Sequence, residues 1–162
     1  MWSLNRWFRR LKFRWIRYWH YLNGYVKVRY SYQTEDQESD DSSEAMWAKY
    51  LGDNLYRLEN IPFTEELNLH DVVRCQEKPD DIPNVIEVVR RSGNRTLRVE
   101  FRKEISAEIA VDIILALKEK EIFYEKAGAG LYMFNVEPNK DYETARDFLR
   151  SKEKEDLLWL YE

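Results

Sequence analysis

The feature that most constrains this chain is the alternation of polar and apolar side chains at residues 96–101, which read Thr-Leu-Arg-Val-Glu-Phe. A period of two is that of a β-strand with one buried face, here formed by Leu97, Val99 and Phe101. Turn residues separate this run from earlier β-like runs, at residues 25–32, 46–51, 55–59, 72–75 and 85–89. The first half of the chain is therefore predicted to be a small antiparallel β unit.

A turn is predicted at residues 92–94, which read Ser-Gly-Asn. Glycine and asparagine tolerate the positive φ angles that tight turns require. The segment stands between two strand-like runs, so a hairpin is predicted that joins residues 85–89 to residues 96–101.

After residue 101 the sequence changes from strands alone to a mixture of helices and strands. Ser106 and Asp141 are each predicted to cap a helix, over residues 107–120 and up to about residue 154. Strands are predicted at residues 122–126, 131–136 and 157–161. Counted from Thr96, the order is βαββαβ, that of a ferredoxin-like unit. The predicted fold class is α+β, with a β unit over residues 24–93 and a ferredoxin-like unit over residues 94–162, packed as one globule.

Several short stretches carry a resemblance to a known family. They are Tyr-Arg-Leu-Glu-Asn-Ile-Pro-Phe at residues 56–63, Asp-Val-Val at 71–73, Arg-Ser-Gly-Asn-Arg-Thr-Leu-Arg-Val at 91–99, and the closing Trp-Leu-Tyr-Glu. Over about residues 25–162 the chain resembles the bacterial family called domain of unknown function 4265. The resemblance implies a bacterial origin and carries no activity with it.

Residues 1–23 lie outside the resemblance and form a separate basic, aromatic segment. An amphipathic helix is predicted over residues 2–22, with its aromatic stripe and its basic residues on different sides. The residues expected to make contacts are Trp7, Arg10, Trp15, Arg17 and Trp19. Three uses remain open: packing on the chain's own acidic body, lying on an anionic membrane surface, or binding a partner protein or nucleic acid. A translation start further downstream is a further alternative.

The net charge of −4 conceals a strong division. Residues 1–32 carry eight basic and no acidic side chains, which leaves −12 for the rest of the chain. An acidic loop, solvated and without a core of its own, is predicted at residues 34–45. The acidic body repels the phosphates of nucleic acids and favours a basic protein partner.

Catalytic chemistry has few candidate residues. His70-Asp71 resembles part of a metal site, but the only other histidine is His20, in the basic segment. Cys75 lies five residues beyond His70, and the pair is the one candidate nucleophile and base. A lone cysteine on an alternating strand is more often a small buried apolar residue. We therefore predict no catalytic, metal or cofactor site and no enzymatic activity.

The best polar cluster surrounds the predicted turn. Its members, with two residues of the preceding Asn-Ile-Pro-Phe stretch, are the predicted partner-binding residues: Asn60, Phe63, Ser92, Asn94, Arg95, Thr96 and Arg98. Loops on a rigid sheet commonly carry recognition. The alternative is that these side chains only stabilise the turn and form cross-strand pairs.

These observations favour a cytoplasmic binding protein. A single cysteine fits a reducing compartment, and the sequence has neither a spanning apolar run nor a signal-peptide pattern. The specific hypothesis is an immunity protein that neutralises a basic bacterial toxin. One alternative is an adaptor held peripherally at the membrane surface by residues 2–22. The other is a small enzyme that uses His70 and Cys75.

Overall fold

The structure, a computed structural model, describes residues 24–32, 42–77, 81–128 and 130–161. Within these residues the fold is α+β, as predicted, with strands in two sheets and two helices. The predicted helix at residues 2–22 and the acidic loop up to residue 41 lie outside the described residues. The rest of that predicted loop, residues 42–45, is instead the beginning of a strand, which pairs with residues 29–32.

The first sheet is a closed five-stranded barrel. Its strands are β1 (Tyr25–Tyr32), β2 (Ser42–Gly52), β3 (Leu55–Leu58), β4 (Val72–Gln76) and β5 (Asn84–Arg90). Neighbours from β1 to β4 pair antiparallel. Strand β1 also pairs with β5 in parallel, at Arg29 and Asn84, and this pairing closes the barrel.

Local sequence explains how the barrel strands turn and what they bury. Asp53 and Asn54 both have positive φ, of 51° and 59°, as a two-residue hairpin between β2 and β3 requires. Alternation along the strands then turns every second side chain into the barrel. The fully buried members of this interior include Val28, Met46, Leu58 and Val73.

The second sheet has four antiparallel strands, in the order β7-β8-β6-β9. They are β6 (Arg95–Phe101), β7 (Phe123–Ala127), β8 (Leu131–Val136) and β9 (Leu158–Tyr161). Helix α1 (Ala107–Lys118) follows β6, and helix α2 (Tyr142–Lys154) follows β8. Every strand and helix predicted after residue 95 is thus present, with ends within a few residues of those expected.

Both helices begin at the predicted caps. The Ser106 side chain accepts a hydrogen bond from the Ile109 N–H, and Asp141 accepts one from the Thr144 N–H at 3.0 Å. The helices cover the sheet face that carries Leu97, Val99 and Phe101, as the alternation requires. Core residues contributed by the other elements include Ile113, Leu117, Phe134 and Leu149.

The chain divides into two compact units that are not consecutive in sequence. Of the described residues, those up to 59 and those between 72 and 89 form one unit, and those between 60 and 71 and from 90 onwards form the other. Residues 60–71, which connect β3 to β4, belong to the C-terminal unit.

The predicted hairpin at residues 92–94 was wrong, because β5 and β6 lie in different sheets. The segment instead lies within the C-terminal unit and leads into β6. Gly93 does adopt a positive φ of 83°, and an added Cβ would lie 3.0 Å from the ring of Pro138. The turn chemistry was thus recognised from the sequence, but the strands it was expected to pair were not.

Candidate partner-binding site

The C-terminal unit has one sheet face without helices, and residues 60–71 pack on it. Alternation along β6 and β8 points Thr96, Arg98, Met133 and Asn135 towards this face. Apolar contacts hold the segment: Ile61 is fully buried and packs in a small cluster with Leu69 and Met133. Residues 60–71, called the crossing segment from here on, are therefore a fixed part of this unit.

Arg98 is the main polar attachment of the crossing segment. Its side chain is only 5% exposed. Its Nε donates to the Phe63 carbonyl at 2.6 Å, and its Nη2 donates to the carbonyls of Pro62 and Thr64. A guanidinium presents its N–H groups in a rigid planar fork. Three successive carbonyls are thereby held by one side chain, which fixes the conformation of the loop around Phe63.

A second set of hydrogen bonds joins the far half of the crossing segment to the sheet. The Asn94 amide donates to the Leu69 carbonyl at 2.8 Å and accepts from the Asn135 amide at 3.2 Å. The Thr96 hydroxyl donates to the side-chain oxygen of Asn68 at 3.1 Å. Asn94, Thr96 and Asn135 are all buried. They satisfy polar groups of the segment that would otherwise be shielded from water without partners.

Asp71 closes the network where the crossing segment ends. Its side chain is fully buried, and its carboxylate accepts hydrogen bonds from the backbone N–H groups of Asn68, at 3.1 Å, and Ser92, at 2.8 Å. It also forms an ion pair with Arg91 at 3.0 Å. One carboxylate thus links the end of the crossing segment to residues 91 and 92, which lead towards β6 in the same unit.

The part of the crossing segment that faces solvent is aromatic and acidic. Phe63 is 43% exposed, and Glu65 and Glu66 are exposed beside it. The Thr64 hydroxyl donates to the Glu66 carboxylate, and Arg91 donates to the Glu66 carbonyl. This arrangement presents an aromatic side chain and two carboxylates on a backbone that is held from below.

The structure divides the seven predicted partner-binding residues into two groups. Asn94, Thr96 and Arg98 are buried and bind the crossing segment, and the Ser92 hydroxyl accepts from the Asn94 N–H at 3.1 Å. The other three, Asn60, Phe63 and Arg95, are exposed to different degrees.

Phe63 and Arg95 are exposed, whereas Asn60 is half-buried and donates to the neighbouring Ile61 carbonyl at 3.3 Å. The Arg95 guanidinium stacks 3.2 Å from the ring centre of Tyr142 and pairs with Glu143. The surface therefore contains Phe63 and Arg95, and the network beneath it contains the buried members.

Asp71 and Asn135 also belong to this network and were not predicted from the sequence. The sequence did contain a signal for Asn135, because it is a polar residue inside an otherwise apolar strand. It lies on the same strand face as Met133, away from the helices. For chemistry, Asp71 was assessed only as part of a metal-binding dipeptide, although a lone carboxylate before a strand is also a common backbone acceptor.

The candidate enzyme residues belong to different units. Cys75, in the barrel, is 1% exposed, and burial raises the pKa of its thiol to about 12, with a smaller contribution from the Glu77 carboxylate. A thiol with such a pKa is a poor nucleophile at neutral pH. His70 belongs to the C-terminal unit and is exposed.

Two further properties hold for the residues that the structure describes. In this part of the chain, His, Cys, Asp and Glu side chains nowhere gather in groups of three or more that could hold a metal ion. Neither described helix combines the length and the apolar character needed to cross a membrane. Trp7, Arg10, Trp15, Arg17 and Trp19 all precede the first described residue.

The fold and the site define a class of α+β protein in which a barrel connection is clamped across the open face of a four-stranded antiparallel sheet. The family described as a domain of unknown function (DUF4265) matches residues 44–160, and the chain belongs to this family. The resemblance drawn from the sequence is thereby confirmed.

One solved structure supports the fold. A hypothetical protein from Neisseria gonorrhoeae is similar with a TM-score of 0.71 and 22% sequence identity, over 85% of this chain and 92% of that one. At this level of identity the similarity shows a shared fold. The comparison with curated proteins gives no match.

Proposed function

We propose that the protein is a non-enzymatic, cytoplasmic binding protein, and specifically an immunity protein that neutralises a basic bacterial toxin. The observation that carries the proposal is the clamp of Arg98 on the crossing segment, which holds Phe63 outward beside Glu65 and Glu66. Aromatic anchors supply much of the affinity of protein interfaces. A loop fixed before binding also loses less conformational entropy when it binds.

The charge distribution supports a basic partner. Outside its first 32 residues the chain carries −12, and the exposed carboxylates of Glu65 and Glu66 add a local negative field at the site. Complementary charge raises the association rate and disfavours wrong partners. A toxin with a basic active-site cleft, such as a nuclease, has the charge that this surface fits.

The proposal includes the architecture of the C-terminal unit. Its element order, β6-α1-β7-β8-α2-β9, and its strand order support the ferredoxin-like arrangement expected from the sequence. In such an arrangement both helices lie on one side of the sheet. The other side is then free to carry a binding loop, which is the place that the crossing segment occupies.

The test begins with the purified full-length chain, immobilised and exposed to lysate of the bacterium that encodes it. A basic protein should be retained, and co-expression with the chain should relieve its toxicity. Phe63→Ala and the charge reversal Glu65→Lys/Glu66→Lys should weaken binding. The control of equal charge change is Glu104→Lys/Glu137→Lys, at two exposed positions outside the site. Failure to retain a basic protein, or equal binding by Phe63→Ala and the unaltered chain, would contradict the proposal.

The second candidate function is an adaptor at the membrane surface. It is favoured by the tryptophans at positions 7, 15 and 19, which alternate along the predicted helix with Arg10 and Arg17. Tryptophan suits the headgroup region, and arginine suits anionic lipid. This role is compatible with protein binding through the crossing segment, because the two activities use different residues.

A further inference from the structure

Helix α1 carries apolar side chains on its outer side as well as its inner side. Its inner side contributes Ile113, Ile114 and Leu117 to the core. Val111 and Leu115, one helical turn apart, are nevertheless 49% and 46% exposed. A helix that only covers a sheet normally has polar residues at such positions. This unit's own core therefore does not explain the second apolar pair.

Two carboxylates accompany the exposed apolar pair. Glu108 and Asp112 are also one turn apart, and the four residues have the spacing i, i+3, i+4 and i+7, which places them on one stripe of the helix. Both acids are exposed, and neither forms an ion pair with a residue in the described ranges. Glu108 in the first turn complements the helix dipole, but Asp112 in the middle of the helix gains nothing comparable.

We propose that this stripe, Glu108, Val111, Asp112 and Leu115, is a docking surface for a basic amphipathic helix of a partner protein. Val111 and Leu115 would pack against the apolar side of that helix, at the i and i+4 spacing that helix recognition uses. The two carboxylates would meet lysine or arginine side chains beside the apolar seam. The charge complementarity selects a basic occupant over an acidic or neutral one.

The α1 stripe is distinct from the site on the crossing segment. The helix packs on one face of the four-stranded sheet, and the crossing segment packs on the other. A partner bound around Phe63 therefore leaves the stripe free. The protein then has two basic-selective surfaces in one unit, and each can be altered without touching the other.

The test uses a synthetic leucine–lysine peptide that forms a basic amphipathic helix, titrated into the 15N-labelled full-length chain. Amide shift changes should cluster within residues 107–118. Val111→Ser/Leu115→Ser should weaken binding about tenfold or more, because burial of two aliphatic side chains is lost. Glu108→Lys/Asp112→Lys should weaken it as well. All four positions are exposed, and circular dichroism verifies that the variants remain folded.

The matched control is Ile109→Ser, which removes an apolar side chain of similar exposure, 40%, from the same helix but outside the stripe. It should leave the affinity nearly unchanged. Shift changes scattered over the whole acidic surface, or unchanged binding by Val111→Ser/Leu115→Ser, would overturn the proposal. Changes confined to residues 60–66 would overturn it too, while leaving the function proposed for the crossing segment intact.

Discussion

At the scale of single residues, Arg98 shows how one side chain can determine a loop. A buried guanidinium loses its hydration, and hydrogen bonds to the carbonyls of residues 62–64 offset that cost. The carbonyls depend on Arg98 in turn, because they face the sheet and not water. The interaction is therefore expected to matter more than any ion pair at the surface of this protein.

Arg98→Ala should lower the free energy of unfolding by about 3 kcal/mol, because buried carbonyls lose charged donors and a cavity remains. Arg98→Lys should recover only part of this loss, since an ammonium cannot reproduce the planar fork. The control is Arg95→Ala on the same strand. Its side chain is 55% exposed, and its loss should cost below about 1 kcal/mol. Urea denaturation measures both, and equal effects would contradict the role assigned to Arg98.

Cys75 makes stability depend on pH at the alkaline end. Its pKa is about 12 in the folded protein against an ordinary 9.0, mainly because of burial. Between these values the unfolded chain binds fewer protons, so the free energy of unfolding should fall as pH rises from about 9 to 12, and the contribution is complete below about 9.

Tyr56 should add to this slope from about pH 10 upwards, because burial and its hydrogen bond to Glu77 raise its pKa as well. Urea denaturation at a series of pH values across this range, under reducing conditions, measures the effect. The free energy of unfolding should fall less steeply with pH for Cys75→Ala than for the unaltered chain. Identical slopes would show that the thiol does not contribute.

At the scale of secondary-structure elements, β9 illustrates how a sheet edge is protected. It is the last strand of the sheet, and the Leu160 N–H donates to the Glu153 carboxylate of α2 at 3.0 Å. An edge strand with free N–H groups is a template for pairing with another chain. The carboxylate accepts a hydrogen bond from one of these N–H groups, and its charge disfavours the approach of a second strand.

Glu153→Ala should therefore lower stability by about 1 kcal/mol through the lost hydrogen bond and should increase self-association. Thermal unfolding and sedimentation velocity measure the two effects. Glu155→Ala is the matched control on the same helix end, because its carboxylate pairs with Lys152, at 2.8 Å near the surface. If both variants remain equally monomeric, the protective role of Glu153 is wrong.

The elements themselves were largely predictable, but their partners were not. Alternation at residues 95–101 and the caps at Ser106 and Asp141 are local signals, and the structure agrees with them. The crossing segment has no periodicity, so nothing local indicated that it would pack on the other unit.

The same reason limited the prediction of the site. Alternation placed Arg98 on the strand face opposite to that of Leu97 and Val99. Whether that face is exposed to solvent or covered by another part of the chain depends on residues more than 30 positions away. Asn94, Thr96 and Arg98 were therefore found from the sequence, whereas their burial beneath the crossing segment was not.

At the scale of the whole molecule, the division of charge matters most. Replacing Arg10 and Arg17 by glutamine in the full-length chain should reduce flotation with anionic vesicles, because each basic residue near such a surface contributes about 1 kcal/mol. Replacing Lys118 and Lys120, two exposed lysines of the C-terminal unit, is the control of equal charge. Equal flotation by all the variants would rule out the adaptor role for residues 2–22.

The crossing segment also has a consequence for heredity. The codons for residues 60–71 lie between two stretches that encode the barrel. Each unit is therefore specified by two separate stretches of the gene. A single recombination breakpoint cannot exchange one unit for that of a related protein without mismatching Arg98 and the loop it holds. Shuffling of this architecture should therefore proceed by transfer of the entire coding block. Chimaeras joined at one point between residues 64 and 98 should be less stable than either parent, because Arg98 and the loop that it holds then come from different proteins.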